Sequence, residues 1–324
     1  NGLLSLTPDA NPVLGPTVEV DNLWAAAAVW VKEGPGVGKL LAEWMTYGYP
    51  ELTDPHGTDV SRFYPQQRNV NHIEARADEH FNKTYGIVHP REQWNSRRNI
   101  TVGPVKSRTD NLGAFYFEAG GWERPHWYES NHDLVAKYGI SQRTHEWDAR
   151  WWSPVSDAEH LHMRENAGLV DLSAFQIFEA SGPGALEYVE SMVVNKCDVS
   201  VGKSIYTPVL NESGGFRSDL TIVRLQENIF RIITGAFDGA RDEHWFRSHL
   251  PANGSVVLEN KTNAICTFGV WGPKAVDLIS MLTESELDQE NFPYGTSQSL
   301  LLEGLPVDML RISYVGDAGF EIYT

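Results

Sequence analysis

Cysteine is scarce in this chain. Its two residues, Cys197 and Cys266, sit in no Cys-x-x-Cys pair and no Cys/His cluster with zinc-ligand spacing, which removes thiol-based metal binding. Two buried free thiols in a reducing compartment is the expected state, with a disulfide between them as the alternative. Long apolar runs are also missing. Leu23 to Val31 is apolar but far too short to cross a bilayer, and no signal peptide is present. Positive charge is outnumbered, with 26 Lys and Arg against 43 Asp and Glu and a net charge of −17. That balance argues against nucleic-acid or membrane partners over the surface as a whole, while leaving room for a local basic pocket. No strand–GxGxxG–helix unit, Ser/His/Asp triad order, metal cluster or internal repeat stands out. The expected location is the cytoplasm, or the mitochondrial matrix in a eukaryote.

What is present is an ordinary globular composition. With 324 residues, 41% hydrophobic and 21% charged, the chain has room for two or three domains and a substantial core. Its 11 Trp, 12 Tyr and 13 Phe serve a core first, and also suit pockets for flat ligands. The chain begins at Asn1-Gly2-Leu3 and stops at Ile322-Tyr323-Thr324, inside an expected strand, so both ends read as cut.

One stretch organises the rest. Tyr206 to Leu210 supplies β-favouring residues, Asn211 to Gly215 supplies turn chemistry, and Leu220 to Leu225 resumes a buried strand, which predicts a hairpin. Asp219 falls near the start of the return strand among apolar neighbours, where a desolvated carboxylate needs a partner. Two readings stand: a turn-capping aspartate, or a carboxylate aimed into a pocket to bind an N–H-rich ligand or manage a proton.

Before it, Leu23 to Trp30 reads as a buried strand. Gly34-Pro35-Gly36-Val37-Gly38 reads as a glycine-rich loop ahead of a helix from Lys39 to Tyr47. Such a loop offers free N–H groups to an anion or a flavin edge, or is simply a tight turn. A helix is expected from Asn71 to Thr84. The run Gly120-Gly121-Trp122-Glu123-Arg124-Pro125 closes an aromatic-rich linker in which Arg124 packs two domains together. His160 and His162 fall on opposite faces of a helix and make no ligand pair. Further helices are expected near residues 185–194, 240–249 and 273–283, and two strands around Gly304.

Ser5 to Leu14 (SLTPDANPVL) with Leu40-Leu41-Ala42-Glu43-Trp44 resembles the closing segment of FAD-dependent amine oxidoreductases, the group that includes dimethylglycine and sarcosine dehydrogenases. The Trp-Glu-Arg-Pro run resembles their linking domain. Ala167 to Phe175, the hairpin, and Ser313-Tyr314-Val315-Gly316-Asp317-Ala318-Gly319-Phe320-Glu321 occur in one order. Together they resemble the aminomethyltransferase of the glycine cleavage system and the folate half of those dehydrogenases.

The resemblance implies an α+β, antiparallel-sheet-rich folate domain over residues 129–324, truncated at its C-terminus. It also implies a linking domain over 61–128 and a flavin-domain remnant over 1–60. It implies tetrahydrofolate-dependent one-carbon transfer from an N-methylated amine. FAD would bind only where the missing N-terminal domain is supplied, by a longer parent chain or a partner. The alternatives are flavin-dependent amine oxidation with that domain, or a non-catalytic folate-binding module. Residue by residue, the resemblance gives Asp219 the catalytic carboxylate, since Ser218 replaces the first of two acids common at this point. It gives Asp317 the amino-pyrimidine edge of the pterin, and Tyr206 and Tyr314 the walls.

Overall fold

The structure is a computed structural model describing residues 3–51, 53–314 and 316–324. An antiparallel hairpin of β1 (Val13–Pro16) and β2 (Trp24–Ala27) opens it, followed by helix α1 (Gly34–Tyr47). Here the expectations fail twice. β2 is short and half exposed because Ala25, Ala26 and Ala27 offer little area to bury. The glycine run is helical, not a loop: Pro35 in the first turn presets the helical φ, and the helix starts at Gly34.

Helix α2 (Val70–Thr84) then packs beside a small sheet. The sheet contains β3 (Thr101–Val102), β4 (Ala114–Ala119) and β5 (Trp122–Tyr128), in the order β3-β5-β4, with α3 (Lys106–Asn111) between its strands. Short helices α4 (Asp133–Tyr138) and α5 (Glu146–Ala149) lead to α6 (Pro154–Glu165), capped by the Ser153 hydroxyl.

Two five-stranded antiparallel sheets form the larger half. The first contains β7 (Gln176–Ser181), β8 (Ser204–Leu210), β9 (Phe216–Gln226), β10 (Ile229–Thr234) and β11 (Val257–Asn260), ordered β11-β7-β10-β9-β8. The second contains β6 (Gly168–Asp171), β12 (Thr267–Trp271), β13 (Thr296–Leu302), β14 (Leu305–Arg311) and β15 (Gly319–Tyr323), ordered β13-β14-β15-β12-β6. Helices α7 (Ala185–Met192) and α8 (Gly239–Ser248) cover the outer face of the first sheet, burying Phe178, Leu220, Ile222, Phe230 and Ile232. Helix α9 (Ala275–Ser280) covers the second, over Met309, Phe320 and Ile322. The inner faces meet through Ile177, Val223, Ile233, Leu310 and Tyr323. This alternation follows from the two-residue period of a strand, which sends successive side chains to opposite faces. The fold is thus α+β and rich in antiparallel sheet, as expected. No helix among the described residues is long and apolar enough to cross a membrane, and both cysteines are free.

The Trp-Glu-Arg-Pro run works differently from the expectation. Arg124 is exposed. The packing falls to Trp122, against Ala174 and Ala236, and to Tyr64, whose hydroxyl donates to the Ala236 carbonyl at 2.6 Å. Glu123 is buried and accepts from Arg98 Nε at 2.8 Å and from the Asn99 amide at 2.7 Å. Burial opposes its charge, but Arg98 and the Asn99 amide outweigh it and hold the carboxyl below its ordinary range. Substituting Glu123→Ala leaves Arg98 Nε and the Asn99 amide without an acceptor, while the guanidinium keeps its bonds to the Trp94 and Tyr116 carbonyls. It should destabilise the protein by about 3–5 kcal/mol, measured by urea denaturation; a loss under about 1 kcal/mol would show that the pair is replaceable.

Candidate functional site

The hairpin forms because its turn satisfies itself. Asn211 Oδ1 accepts from the Ser213 and Gly215 amides at 3.1 and 2.7 Å, and the Asn211 amide donates to the Gly215 carbonyl at 2.9 Å. Gly214 takes a φ of 80°, which suits a residue without Cβ.

Along β9, Ser218, Leu220 and Ile222 face the helices, so Asp219 projects to the opposite, inter-sheet side. The carboxylate is therefore exposed and not desolvated among apolar neighbours. It accepts a hydrogen bond from the Tyr206 hydroxyl on β8, and that bond, ahead of burial, raises the phenol's pKa. Tyr206 is itself 63% exposed. Ser218 has a separate task. Its hydroxyl donates to Asp242 on α8 at 2.7 Å, as does that of Thr234 at 2.6 Å. An acid in place of Ser218 would face a buried carboxylate and repel it.

The second sheet supplies the other half. Glu321 on β15 is 1% exposed. Its Oε1 accepts from the Tyr314 hydroxyl at 2.7 Å and its Oε2 from the Tyr323 hydroxyl. Burial pushes the Glu321 carboxyl above its ordinary range, with the two phenols pulling the other way. Tyr314 keeps an exposed ring while its hydroxyl reaches inward; burial of that end, then Glu321, push its pKa well up. Trp271 lies over Gly269 and Gly319, where any Cβ would overlap its ring, and its indole N–H donates to the Ile312 carbonyl at 2.8 Å. Its ring meets Tyr314 edge-on at 5.6 Å.

Arg231 on β10 ties the halves together. It donates to Glu179 of its own sheet at 2.9 and 3.0 Å and pairs with Asp308 of the other sheet at 2.9 Å. At the sheet edge, the Ser204 amide donates to the Gly295 carbonyl at 2.9 Å and the Ser297 amide to the Gly202 carbonyl at 2.6 Å.

Of the residues expected from the sequence, Asp219 and Tyr206 are in direct contact, and Tyr314 extends from the loop between β14 and β15. Asp317 sits half-buried in the loop entering β15. Val315, in the same motif, lies outside the described residues. Sequence reasoning passed over Glu321. The signal was available: in Gly319-Phe320-Glu321-Ile322-Tyr323 an acid alternates with apolar residues, which places it with Tyr323 on one buried face.

Known proteins place this architecture. Residues 105–324 match the model of the GCVT N-terminal domain, and residues 48–102 that of the FAD dependent oxidoreductase central domain. The chain is 33% identical to a 4-methylaminobutanoate oxidase (formaldehyde-forming) of Paenarthrobacter nicotinovorans, over 98% of this chain and 38% of that protein. It is 29% identical to the mitochondrial pyruvate dehydrogenase phosphatase regulatory subunit of Mus musculus, over 98% of this chain and 37% of the relative. Identity to the mitochondrial dimethylglycine dehydrogenase of Homo sapiens is 28%, over 100% and 37%. The chain thus spans under two fifths of the length of these relatives. The glycine cleavage system aminomethyltransferase T of Bartonella henselae has the same fold, with a TM-score of 0.54 at 21% identity, covering 69% of this chain and 54% of that one. The chain belongs to the GCVT N-terminal domain family, and carries in front of that domain the central domain of the FAD-dependent oxidoreductases.

Proposed function

We propose that this chain is the folate-binding part of an amine-demethylating system that passes a one-carbon unit from an N-methylated amine to tetrahydrofolate. The observation that carries the reading is that each of two packed sheets holds a carboxylate bonded to tyrosine hydroxyls, Asp219 to Tyr206 on one and Glu321 to Tyr314 and Tyr323 on the other. A flat, N–H-rich ring suits such a place. Aromatic rings flank its faces, and carboxylates accept from its edges.

When bound, a reduced folate supplies the nitrogen nucleophile that takes the carbon. Asp219 holds the proton leaving that nitrogen, and its charge stabilises the cationic carbon donor. Tyr206 orients the Asp219 carboxylate through their hydrogen bond. Tyr206 and Tyr314 present their exposed rings as walls. Asp317 at the rim is the carboxylate available to the amino-pyrimidine edge, and Glu321 reaches that edge only by releasing one of its tyrosine hydroxyls.

FAD binding is assigned a place only where the flavin domain is supplied. Amine oxidation is assigned to a flavin-bearing part of a longer parent protein or to a partner. The place of action is the cytoplasm, or the mitochondrial matrix in a eukaryote. A second reading, a folate-binding module without catalysis, draws support from the relative that is a regulatory subunit.

Titration with tetrahydrofolate followed by calorimetry tests the reading. Binding should saturate, and Asp219→Ala should weaken it by about 1.5–3 kcal/mol, roughly tenfold to a hundredfold in Kd. Wild-type affinity in that variant, together with unchanged turnover in the flavin-supplied system, would remove Asp219 from the site. Folate binding without any carbon transfer would favour the second reading.

Glu321 makes a separate prediction. Its carboxyl is raised in the folded protein from an ordinary value of 4.5, so the folded state holds a proton that the unfolded chain releases. Stability is then full below about pH 4.5 and falls as pH rises toward the folded value. Glu321→Gln should remove this loss, so its melting temperature should gain on wild type between pH 4.5 and neutrality. A difference that stays flat with pH would show that the carboxyl is not raised.

A further inference from the structure

β9 carries one residue too many. Opposite β8, Val209 pairs with Ser218 and Leu210 with Phe216, which leaves Arg217 unpaired in a bulge. A bulge re-aims a side chain away from the strand's alternation. The Arg217 guanidinium lies over the Trp245 ring of α8, 4.0 Å from its centroid. Its side chain is 14% exposed, and the nearest carboxylate, Asp59, is 3.9 Å away, beyond hydrogen-bond reach. Asp59 Oδ1 accepts from the amide and hydroxyl of Ser61, and its Oδ2 faces Arg217 only at ion-pair distance. Among the described residues the Arg217 side chain donates to no acceptor, and its Nε is buried without one. Arg241 on α8, 3% exposed, donates through Nη2 to the Arg217 carbonyl and lies 3.6 Å from Asp238, while its Nε is buried without an acceptor.

Both arginines line one cavity of about 340 Å³ between the β8–β9 turn, α8 and residues within 16–50 and 54–59. A guanidinium has five N–H donors, and burying it without acceptors is costly. Burial, and then Arg241, push Arg217 down to about 10. The cavity wall also carries Asp21, Asp54, Asp59 and Glu212. Those carboxylates disfavour a simple anion and suit a ligand that carries both signs.

We propose that this cavity binds a small zwitterionic carboxylate of the amino-acid type, with its carboxylate on Arg217 and Arg241 and its ammonium toward Asp54. The site does not depend on the folate reading, because Arg217 reaches the α8 side of the sheet and Asp219 the opposite side. The volume is small for a folate and ample for an amino acid, and the wide, flat guanidinium fork matches a carboxylate in two-point contact.

The test is calorimetric titration of the whole chain with N,N-dimethylglycine, and with acetate, dimethylamine and inorganic phosphate as separate probes. The expected result is saturable binding of dimethylglycine, about tenfold or more tighter than any of the other three. Arg217→Met should lower that affinity about tenfold or more while melting no lower than wild type, because the side chain serves a ligand and not the fold. Asp54→Asn, at an exposed position, should weaken dimethylglycine and leave acetate unchanged. Asp219→Ala should leave dimethylglycine binding unchanged, whatever it does to folate. The proposal is overturned if dimethylglycine binds no tighter than the single-charge probes. It is equally overturned if Arg217→Met binds like wild type, or melts well below it.

Discussion

Everything at the candidate site depends on the distance and register between two sheets, and Arg231 fixes both. Its guanidinium binds Glu179 on one sheet and Asp308 on the other, beside the apolar contact of Ile177, Val223, Ile233, Leu310 and Tyr323. Apolar packing sets the spacing but tolerates sliding. A planar, directional pair on each side does not. The buried ions contribute little net stability after desolvation, so positioning is the better account of their presence. Tyr323 links this clamp to the chemistry, since it belongs to the inter-sheet core and donates to Glu321.

Much of this was readable in the chain. The hairpin, the helices near 70–84, 185–194, 240–249 and 273–283, and the strands around Gly304 follow from local pattern, because each is decided by its own periodicity and turn residues. Beyond the short β2 and the exposed Arg124, two further features were misread for definite reasons. Gly34 to Gly38 looked like a loop, yet proline in a first turn and glycine inside a packed helix are both compatible with winding. Asp219 looked desolvated because its sequence neighbours are apolar. In a strand those neighbours point to the other face, so they say nothing of its solvent.

Glu321 and Arg217 illustrate what a linear reading misses. The burial of Glu321 depends on a second sheet closing over it, and its partners come from a loop and the same strand. The direction of Arg217 is set by a single-residue bulge, which depends on the register of β8 against β9 and not on any residue type. Glu321 is met by two tyrosine hydroxyls, whereas Arg217 carries a desolvation cost that no hydrogen-bond acceptor offsets. Such costs are retained where a ligand relieves them.

The exposure of Asp219 gives the account its sharpest exposure to test. An open carboxylate on a sheet face becomes a site only when a ligand bridges it to Glu321. A crystal structure of the chain with tetrahydrofolate decides this most directly. The account predicts a pterin ring between the sheets, with Asp219 and Glu321 hydrogen-bonded to different edges of it. A pterin bound elsewhere, with Asp219 still facing solvent, would contradict it.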